Sequence, residues 1–285
     1  MWQTYIKGLK LYIPKELKDD LDIFIDDLMN SEMDIVLAID GKEGTGKSRT
    51  ARLIGAYIAH KTGVKFDNTN VHLTTKSYIN SAENGKKGQV NILDESRNAL
   101  NKKRTMSKSN VMFSDWLSEN RDKHQIHILL LPAIHDLETY ITMWRMSLLI
   151  HLIKFHAKNE KTDSGYELIR GYFKVYENNK DLQRVIHNKA KFGYYAYPTN
   201  YKYRGRFKDC EPFDDEQLKA YKDKKAKERA EKYTQGMNKE RVEYVKAVRA
   251  LSESLKSQKK AAKLLGFSVG KVNTIVNEDI GENDI

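Results

Sequence analysis

The strongest chemical signal in the sequence is the run at residues 41–48, Gly-Lys-Glu-Gly-Thr-Gly-Lys-Ser. It fits the Walker A pattern G-x-x-x-x-G-K-[ST], in which a glycine-rich backbone turns its N–H groups inward around a phosphate. Lys47 is expected to reach the β- and γ-phosphates, and the Ser48 hydroxyl to bind Mg²⁺. The predicted ligands are a nucleoside triphosphate and Mg²⁺. The predicted nucleotide-binding residues are Gly41, Lys42, Glu43, Gly44, Thr45, Gly46, Lys47, Ser48 and Arg49.

A second signal is the run at residues 90–95, Val-Asn-Ile-Leu-Asp-Glu. An apolar strand that ends in an aspartate is the Walker B pattern, so Asp94 is predicted to hold the Mg²⁺ shell together with Ser48. Glu95 follows directly and is placed to polarise the attacking water as a general base. An Asp-Glu pair at a strand end is common on protein surfaces, and it becomes a strong signal only beside the Walker A motif.

These side chains need a strand, a loop and a helix to position them. An apolar run at 35–39 leads into the Walker A motif, and a helical pattern over 48–60 follows it. Strands alternating with helices predict an α/β fold of the P-loop NTPase type, with a mainly parallel sheet flanked by helices. An amphipathic helix is predicted over 14–29. The other predicted strands are at 71–73, 90–93, 126–131 and 148–153, with added strands within 166–207.

The composition excludes several classes of protein. The chain has 285 residues, of which 40% are hydrophobic and 31% charged, so it can bury a core and is not a disordered chain. A single cysteine excludes an intrachain disulfide framework. The formal net charge of +11 favours a polyanionic partner. No apolar run approaches the roughly 20 residues of a membrane helix, and no targeting segment is evident, so we expect a cytoplasmic protein without a membrane partner.

The expected domain organisation has three parts. Residues 1–207 form the P-loop ATPase domain, with its core at 34–157. Residues 208–237 form a charged helical linker, and residues 238–285 form a small all-α domain.

The glutamate beside the Walker B aspartate resembles the additional-strand, catalytic-glutamate (ASCE) class of ATPases. Small GTPases have D-x-x-G and N-K-x-D motifs that this sequence lacks, which favours ATP over GTP. Residues 34–155 resemble the FtsK/HerA-like branch of that class, because the basic run Asn-Arg-Asp-Lys-His-Gln at 120–125 precedes an apolar strand. The same residues resemble zonula occludens toxin-like phage ATPases and viral DNA-packaging ATPases.

The FtsK/HerA-like resemblance implies two further site residues. Arg121 takes the position of an arginine finger supplied to a neighbouring subunit of a ring, with Arg97, Arg104 and Arg145 as other candidates. His135 is the candidate γ-phosphate sensor, although that family usually has a Thr-Gln pair there. A solvated arginine and a histidine without a role remain the alternatives.

The last segment, residues 257–276, has the spacing of a helix-turn-helix. Ala262 is the small residue at the crossing, Gly266 takes the turn and Ser268 caps the second helix. This segment has five lysines and no acidic residue between 254 and 277, which favours contact with the phosphate backbone of a nucleic acid. A bundle used for protein contacts is the alternative. The predicted DNA-binding residues are Lys259, Lys260, Ser268, Lys271, Asn273 and Thr274.

Three functions fit these expectations. The first is a Mg²⁺-ATP-driven DNA motor or remodelling ATPase of phage, viral or mobile-element type, which acts as a ring on double-stranded DNA with a phage or viral structural or replication protein. The second is a helicase-loader or initiator-like ATP switch. The third is an ATP-gated DNA-binding regulator that hydrolyses ATP slowly.

Overall fold

The computed structural model describes residues 2–6, 9–31, 33–94, 108–159, 161, 165–192, 196–208 and 210–277. The chain divides into two units, Met1–Tyr221 and Lys222–Ile285. Within the described residues, no helix combines the length and the apolar character needed to cross a bilayer.

The first unit is built on a seven-stranded sheet in the order β4-β5-β6-β3-β7-β8-β9. The five strands from β4 to β7 run parallel, and β8 and β9 are added antiparallel at one edge. The predicted α/β fold with a mainly parallel sheet is therefore confirmed. The strands are β3 (Ile35–Gly41), β4 (Val71–His72), β5 (Val90–Leu93), β6 (Ile126–Leu131), β7 (Met146–Lys158), β8 (Tyr166–Glu177) and β9 (Tyr203–Arg206).

Two further strands precede this sheet and pair as an antiparallel hairpin, β1 (Trp2–Ile6) with β2 (Leu9–Ile13). The sequence analysis did not predict this hairpin. The helices of the first unit are α1 (Lys15–Asn30), α2 (Lys47–Thr62), α3 (Thr75–Glu83), α4 (Lys108–Glu119), α5 (Lys180–His187), α6 (Lys189–Phe192) and the start of α7 (Asp215–Ser254).

Both faces of the parallel sheet are buried, which explains why its strands are continuous apolar runs. Along β3, Leu37 and Ile39 pack with α1 and α2 in one core cluster. Val36 and Ala38 point to the opposite face and pack with α3, α4 and α5 in a second cluster. The period of two along the strand thus distributes its side chains between two helical layers.

The order of the strands in the sheet determines where the predicted site lies. β6 lies between β3 and β5 in the sheet. Because the three strands are parallel, their carboxyl ends meet at one edge of the sheet. Three parts of the predicted site lie at that edge: the loop at 41–46, Asp94 and the segment after Leu131.

The second unit contains most of α7 and two short helices, α8 (Gln258–Leu265) and α9 (Val269–Val276). Its small core holds residues from all three helices: Val245, Val248, Ala261, Ala262, Val272 and Ile275. Gly266 ends α8 with φ of 65° and lies in the left-handed region, as the predicted turn requires. The Ser268 side chain accepts a hydrogen bond from the Lys271 N–H at 3.2 Å and caps α9.

The structure divides the chain differently from the predicted boundaries at 207 and 238. A single helix, α7, runs through the expected linker and into the C-terminal unit without a break. Residues up to Tyr221 belong to the first unit, because Phe213 and Tyr221 are buried in its core. A short stretch of charged composition therefore packs on the first unit, which its composition did not indicate.

Candidate nucleotide and magnesium site

The phosphate loop, residues 41–48, is held in shape by two glycines. Gly41 has φ of 141°, and a Cβ there would lie 2.4 Å from the Leu152 carbonyl oxygen on β7, so only glycine fits. Gly46 has φ of 101° and immediately precedes α2. The first turn of a helix has N–H groups without intrahelical acceptors, and here that turn opens toward the loop. The loop is therefore shaped to surround an anion.

The Lys47 ammonium lies over the phosphate loop. Its Nζ donates to the Gly41 carbonyl at 2.6 Å and to the Lys42 carbonyl at 3.1 Å. The loop is closed on itself by Thr45, whose Oγ1 donates to the Lys42 carbonyl at 2.8 Å. The lysine charge is thus held at the loop where the Walker A pattern requires it.

The Walker A serine and the Walker B aspartate are in contact. Ser48 Oγ donates a hydrogen bond to Asp94 Oδ2 at 3.0 Å. Asp94 is buried, and its N–H donates to the His72 carbonyl at 2.8 Å, which fixes the backbone at the end of β5. A hydroxyl and a carboxylate are the hard oxygen ligands that Mg²⁺ prefers, so the pair predicted to hold the metal fits it chemically. Glu95, Arg97 and Arg104 lie outside the described residues.

A segment near the end of the first unit also reaches this site. The Tyr221 hydroxyl donates a hydrogen bond to Asp94 Oδ2. On the adjacent helix, buried Arg52 donates to both Glu211 carboxylate oxygens, from Nε at 2.8 Å and from Nη2 at 2.5 Å. The sequence analysis missed Tyr221 and Glu211, because neither belongs to a motif and both fall in the expected linker.

A buried polar cluster lies beside the phosphate loop at the end of β3. Asp40 accepts hydrogen bonds from the Ile134 N–H at 2.7 Å and from the Tyr197 hydroxyl. His151 Nδ1 lies 2.8 Å from Asp40 Oδ1. Burial, together with the Asp40 charge, raises the pKa of Tyr197 above its ordinary range, so this tyrosine stays a neutral donor. The cluster ties the end of β3 to the segment after β6 and to Tyr197.

His135 follows β6 at the same edge of the sheet. Its ring is buried, Nε2 lies 2.9 Å from the Ala196 carbonyl oxygen, and the ring meets Tyr197 edge-on. The structure therefore places His135 near the phosphate loop, with its ring packed against the segment at 196–197. A sensor role for His135 remains a prediction.

Two arginine-finger candidates lie at the opposite edge of the sheet, because each precedes a parallel strand. Arg145 is buried and its Nη2 pairs with Asp34, which removes it as a candidate. Arg121 is exposed, and its Nη2 donates to the Tyr140 hydroxyl at 3.3 Å. Arg121 therefore lies at the sheet edge away from the phosphate loop of its own chain, and a finger role for it remains a prediction.

In the C-terminal unit, the six predicted DNA-binding side chains are all exposed: Lys259, Lys260, Ser268, Lys271, Asn273 and Thr274. The Lys271 ammonium lies 4.2 Å from the centre of the Phe267 ring, a cation–π contact that keeps the charge beside the start of α9.

No protein-family model matches the sequence, and no curated protein matches it. Among solved structures, the genome-packaging NTPase B204 from Sulfolobus turreted icosahedral virus 2 in complex with ATP-gammaS is similar, with 16% identity and a TM-score of 0.33 over 52% of this chain and 94% of that chain. The same NTPase in complex with sulfate matches with 15% identity and a TM-score of 0.34 over 51% and 92%. The fold assignment made above rests on the strand order and the phosphate loop.

Proposed function

We propose that this chain is a Mg²⁺-dependent ATPase that acts on double-stranded DNA as an oligomer, as a motor or remodelling enzyme of phage, viral or mobile-element type. The observation that carries the ATPase part is the contact of Ser48 with Asp94 beside the phosphate loop. Two motifs that are distant in sequence meet at the one place where a Mg²⁺-nucleotide needs both of them.

The roles of the site residues follow from this arrangement. The N–H groups of residues 41–48 surround the β-phosphate, and Lys47 exchanges its carbonyl contacts for phosphate oxygens. Ser48 and Asp94 hold Mg²⁺, which supplies charge neutralisation at the phosphates when it is bound. Glu95 is proposed as the base that orients the attacking water.

A ring is supported by the position of Arg121. This side chain is exposed at the sheet edge opposite the phosphate loop. A copy that packs this edge against the nucleotide edge of its neighbour would supply a cation to the transition state, and such a contribution is worth several powers of ten in rate.

DNA as the partner is supported by charge and by exposure. The chain carries a net charge of +11, and the lysines of α8 and α9 are exposed around a small buried core. α9 is proposed as the helix that enters the major groove, where Asn273 and Thr274 would face base edges and Lys271 a phosphate.

The experiment that tests the motor assignment is the ATP hydrolysis rate with and without duplex DNA, run beside a mass measurement in ATP-γS. A motor shows a ring and DNA-stimulated turnover. Nucleotide-dependent binding to another protein with little turnover favours the loader instead. DNA binding that depends on ATP with slow, unstimulated hydrolysis favours the regulator.

A further inference from the structure

The side chain of Tyr221, on α7, hydrogen bonds to the predicted Mg²⁺-binding pair. Its hydroxyl donates to Asp94 Oδ2, the same oxygen that accepts from Ser48 Oγ at 3.0 Å. Two donors on one oxygen fix the rotation of the carboxylate. Tyr221 is 6% exposed, so water does not readily replace its hydroxyl.

The position of Tyr221 is set by a second contact to the phosphate-loop helix. Buried Arg52 on α2 makes a two-pronged ion pair with Glu211, and Arg49 Nε lies 3.7 Å from the same carboxylate. The Arg52 guanidinium also lies 4.8 Å from the Tyr221 ring centre and 5.4 Å from that of Phe213. A planar guanidinium that is paired with a carboxylate and stacked on aromatic rings holds its partners in a defined geometry.

We infer that Tyr221 is a positioning residue for the Mg²⁺-nucleotide site and that the docking of residues 210–221 is coupled to occupation of that site. This inference rests on the proposed function. Tyr221 acts through Asp94, which it holds in the orientation that Mg²⁺ requires. Tyr221 lies in the first part of α7 and is the last residue of the first unit, and the same helix continues into the C-terminal unit.

The coupling between docking of residues 210–221 and Mg²⁺-nucleotide binding has a defined sign. If docked Tyr221 favours Mg²⁺ binding, then bound Mg²⁺-nucleotide must favour the docked segment to the same extent, because linkage between two binding equilibria is reciprocal. The N-terminal end of α7 is therefore expected to become more protected when Mg²⁺-nucleotide binds. A change at the phosphates would then reach the helix that leads to the predicted DNA reader.

The test compares Tyr221→Phe with Tyr203→Phe. Both variants remove a tyrosine hydroxyl from an aspartate, since Tyr203 OH donates to Asp20 Oδ2 at 2.8 Å, away from the phosphate loop. ATP-γS binding is measured by calorimetry with Mg²⁺ and with EDTA. Tyr221→Phe is expected to weaken binding in Mg²⁺ by about tenfold, the size of one hydrogen bond to a charged group, and to leave binding in EDTA unchanged. Tyr203→Phe is expected to match the wild type in both.

Hydrogen exchange of residues 210–224 is the second readout. In the wild type, Mg²⁺ with ATP-γS should slow exchange in this segment, and Tyr221→Phe should lose most of that protection. Glu211→Gln, which weakens the pair with Arg52, should raise exchange of the segment before any nucleotide is added.

The outcomes separate this inference from the proposed function. If the wild type binds Mg²⁺-ATP-γS and Tyr221→Phe behaves like Tyr203→Phe in both measurements, the positioning role is wrong and the ATPase assignment stands. If the wild type binds no nucleotide with or without Mg²⁺, both are wrong.

Discussion

Ser48 Oγ and Asp94 Oδ2 lie 3.0 Å apart, although the strands that precede them, β3 and β5, are not neighbours in the sheet. β6 lies between those strands, and Ser48 reaches across its carboxyl end from the first turn of α2. The end of β6 therefore lies between the ends of the two strands that precede the predicted metal-binding pair. His135, which follows β6 at this edge, remains the predicted γ-phosphate sensor.

Glu95→Gln tests the proposed general base. The amide keeps the shape of the side chain and cannot take a proton, so ATP binding should persist while steady-state hydrolysis falls by at least about a hundredfold. Binding of radiolabelled ATP and release of phosphate from the same preparation measure the two effects. Wild-type turnover in this variant would mean that the base is another residue and that the ASCE resemblance does not extend to mechanism.

Mixing two inactive variants tests the arginine finger. Arg121→Ala lacks the proposed finger and keeps an intact phosphate loop, whereas Lys47→Ala lacks the loop lysine and keeps Arg121. Each alone should hydrolyse ATP slowly. Mixed at equal concentration, they should recover part of the wild-type rate, because some subunit interfaces then combine an intact phosphate loop with an intact Arg121. Full activity of Arg121→Ala alone would exclude it as the finger.

The first unit should lose stability as the pH falls from 7 to 5, in part because of His127. This histidine is fully buried, and burial followed by the nearby Arg145 charge lowers its pKa to about 3 from 6.5. Between pH 7 and pH 5, His127 takes up a proton in the unfolded chain but stays neutral in the folded protein. The free energy of unfolding should therefore fall by about 2 kcal/mol per such histidine.

Urea unfolding followed by tryptophan fluorescence measures this dependence, since all three tryptophans lie in the first unit. His127→Gln should flatten the pH dependence between 7 and 5 relative to the wild type. His60→Gln, at an exposed position on α2, is the matched control for the substitution itself. Burial raises the pKa of Asp34, and a raised carboxyl pKa adds stability as the pH falls, opposite to the effect of His127. The decisive quantity is therefore the difference in pH dependence between the wild type and His127→Gln.

The proposed DNA surface on α9 can be tested by two single substitutions. Lys271→Ala should weaken duplex binding to a similar extent for all sequences and reduce the slope of log K against log salt by about one, because one phosphate contact is lost. Asn273→Ala should change the sequence preference and leave the salt slope unchanged. Fluorescence anisotropy on labelled duplexes measures both. If neither variant alters DNA binding, this unit is better explained as a docking bundle for protein.

The parallel core was predictable because each of its strands is a short apolar run, and strands buried on both faces have no polar alternation to obscure them. Val90–Leu93 and Ile126–Leu131 were predicted to the residue. The contact of Ser48 with Asp94 was also predictable, since carboxyl ends of parallel strands share one edge.

Contacts between distant segments without a motif could not be predicted. Nothing near Asp40 marks it as the acceptor for Tyr197, because the partner lies far along the chain. Tyr221 stands in a run of lysines and alanines, where composition indicates a solvated helix. Tyr221 lies in the same buried core cluster as Phe213, with the Arg52 guanidinium 4.8 Å from its ring centre, and only the folded arrangement brings those groups together.

The most direct test of the central claim is ATP hydrolysis by the wild type and by Lys47→Ala, purified in parallel and assayed with Mg²⁺ and with EDTA. Lys47 carries the charge that the β- and γ-phosphates need, and its variant leaves the buried core untouched. The account predicts turnover in the wild type only with Mg²⁺, and a loss of at least about a hundredfold in Lys47→Ala. Equal rates for the two proteins in Mg²⁺ would contradict it.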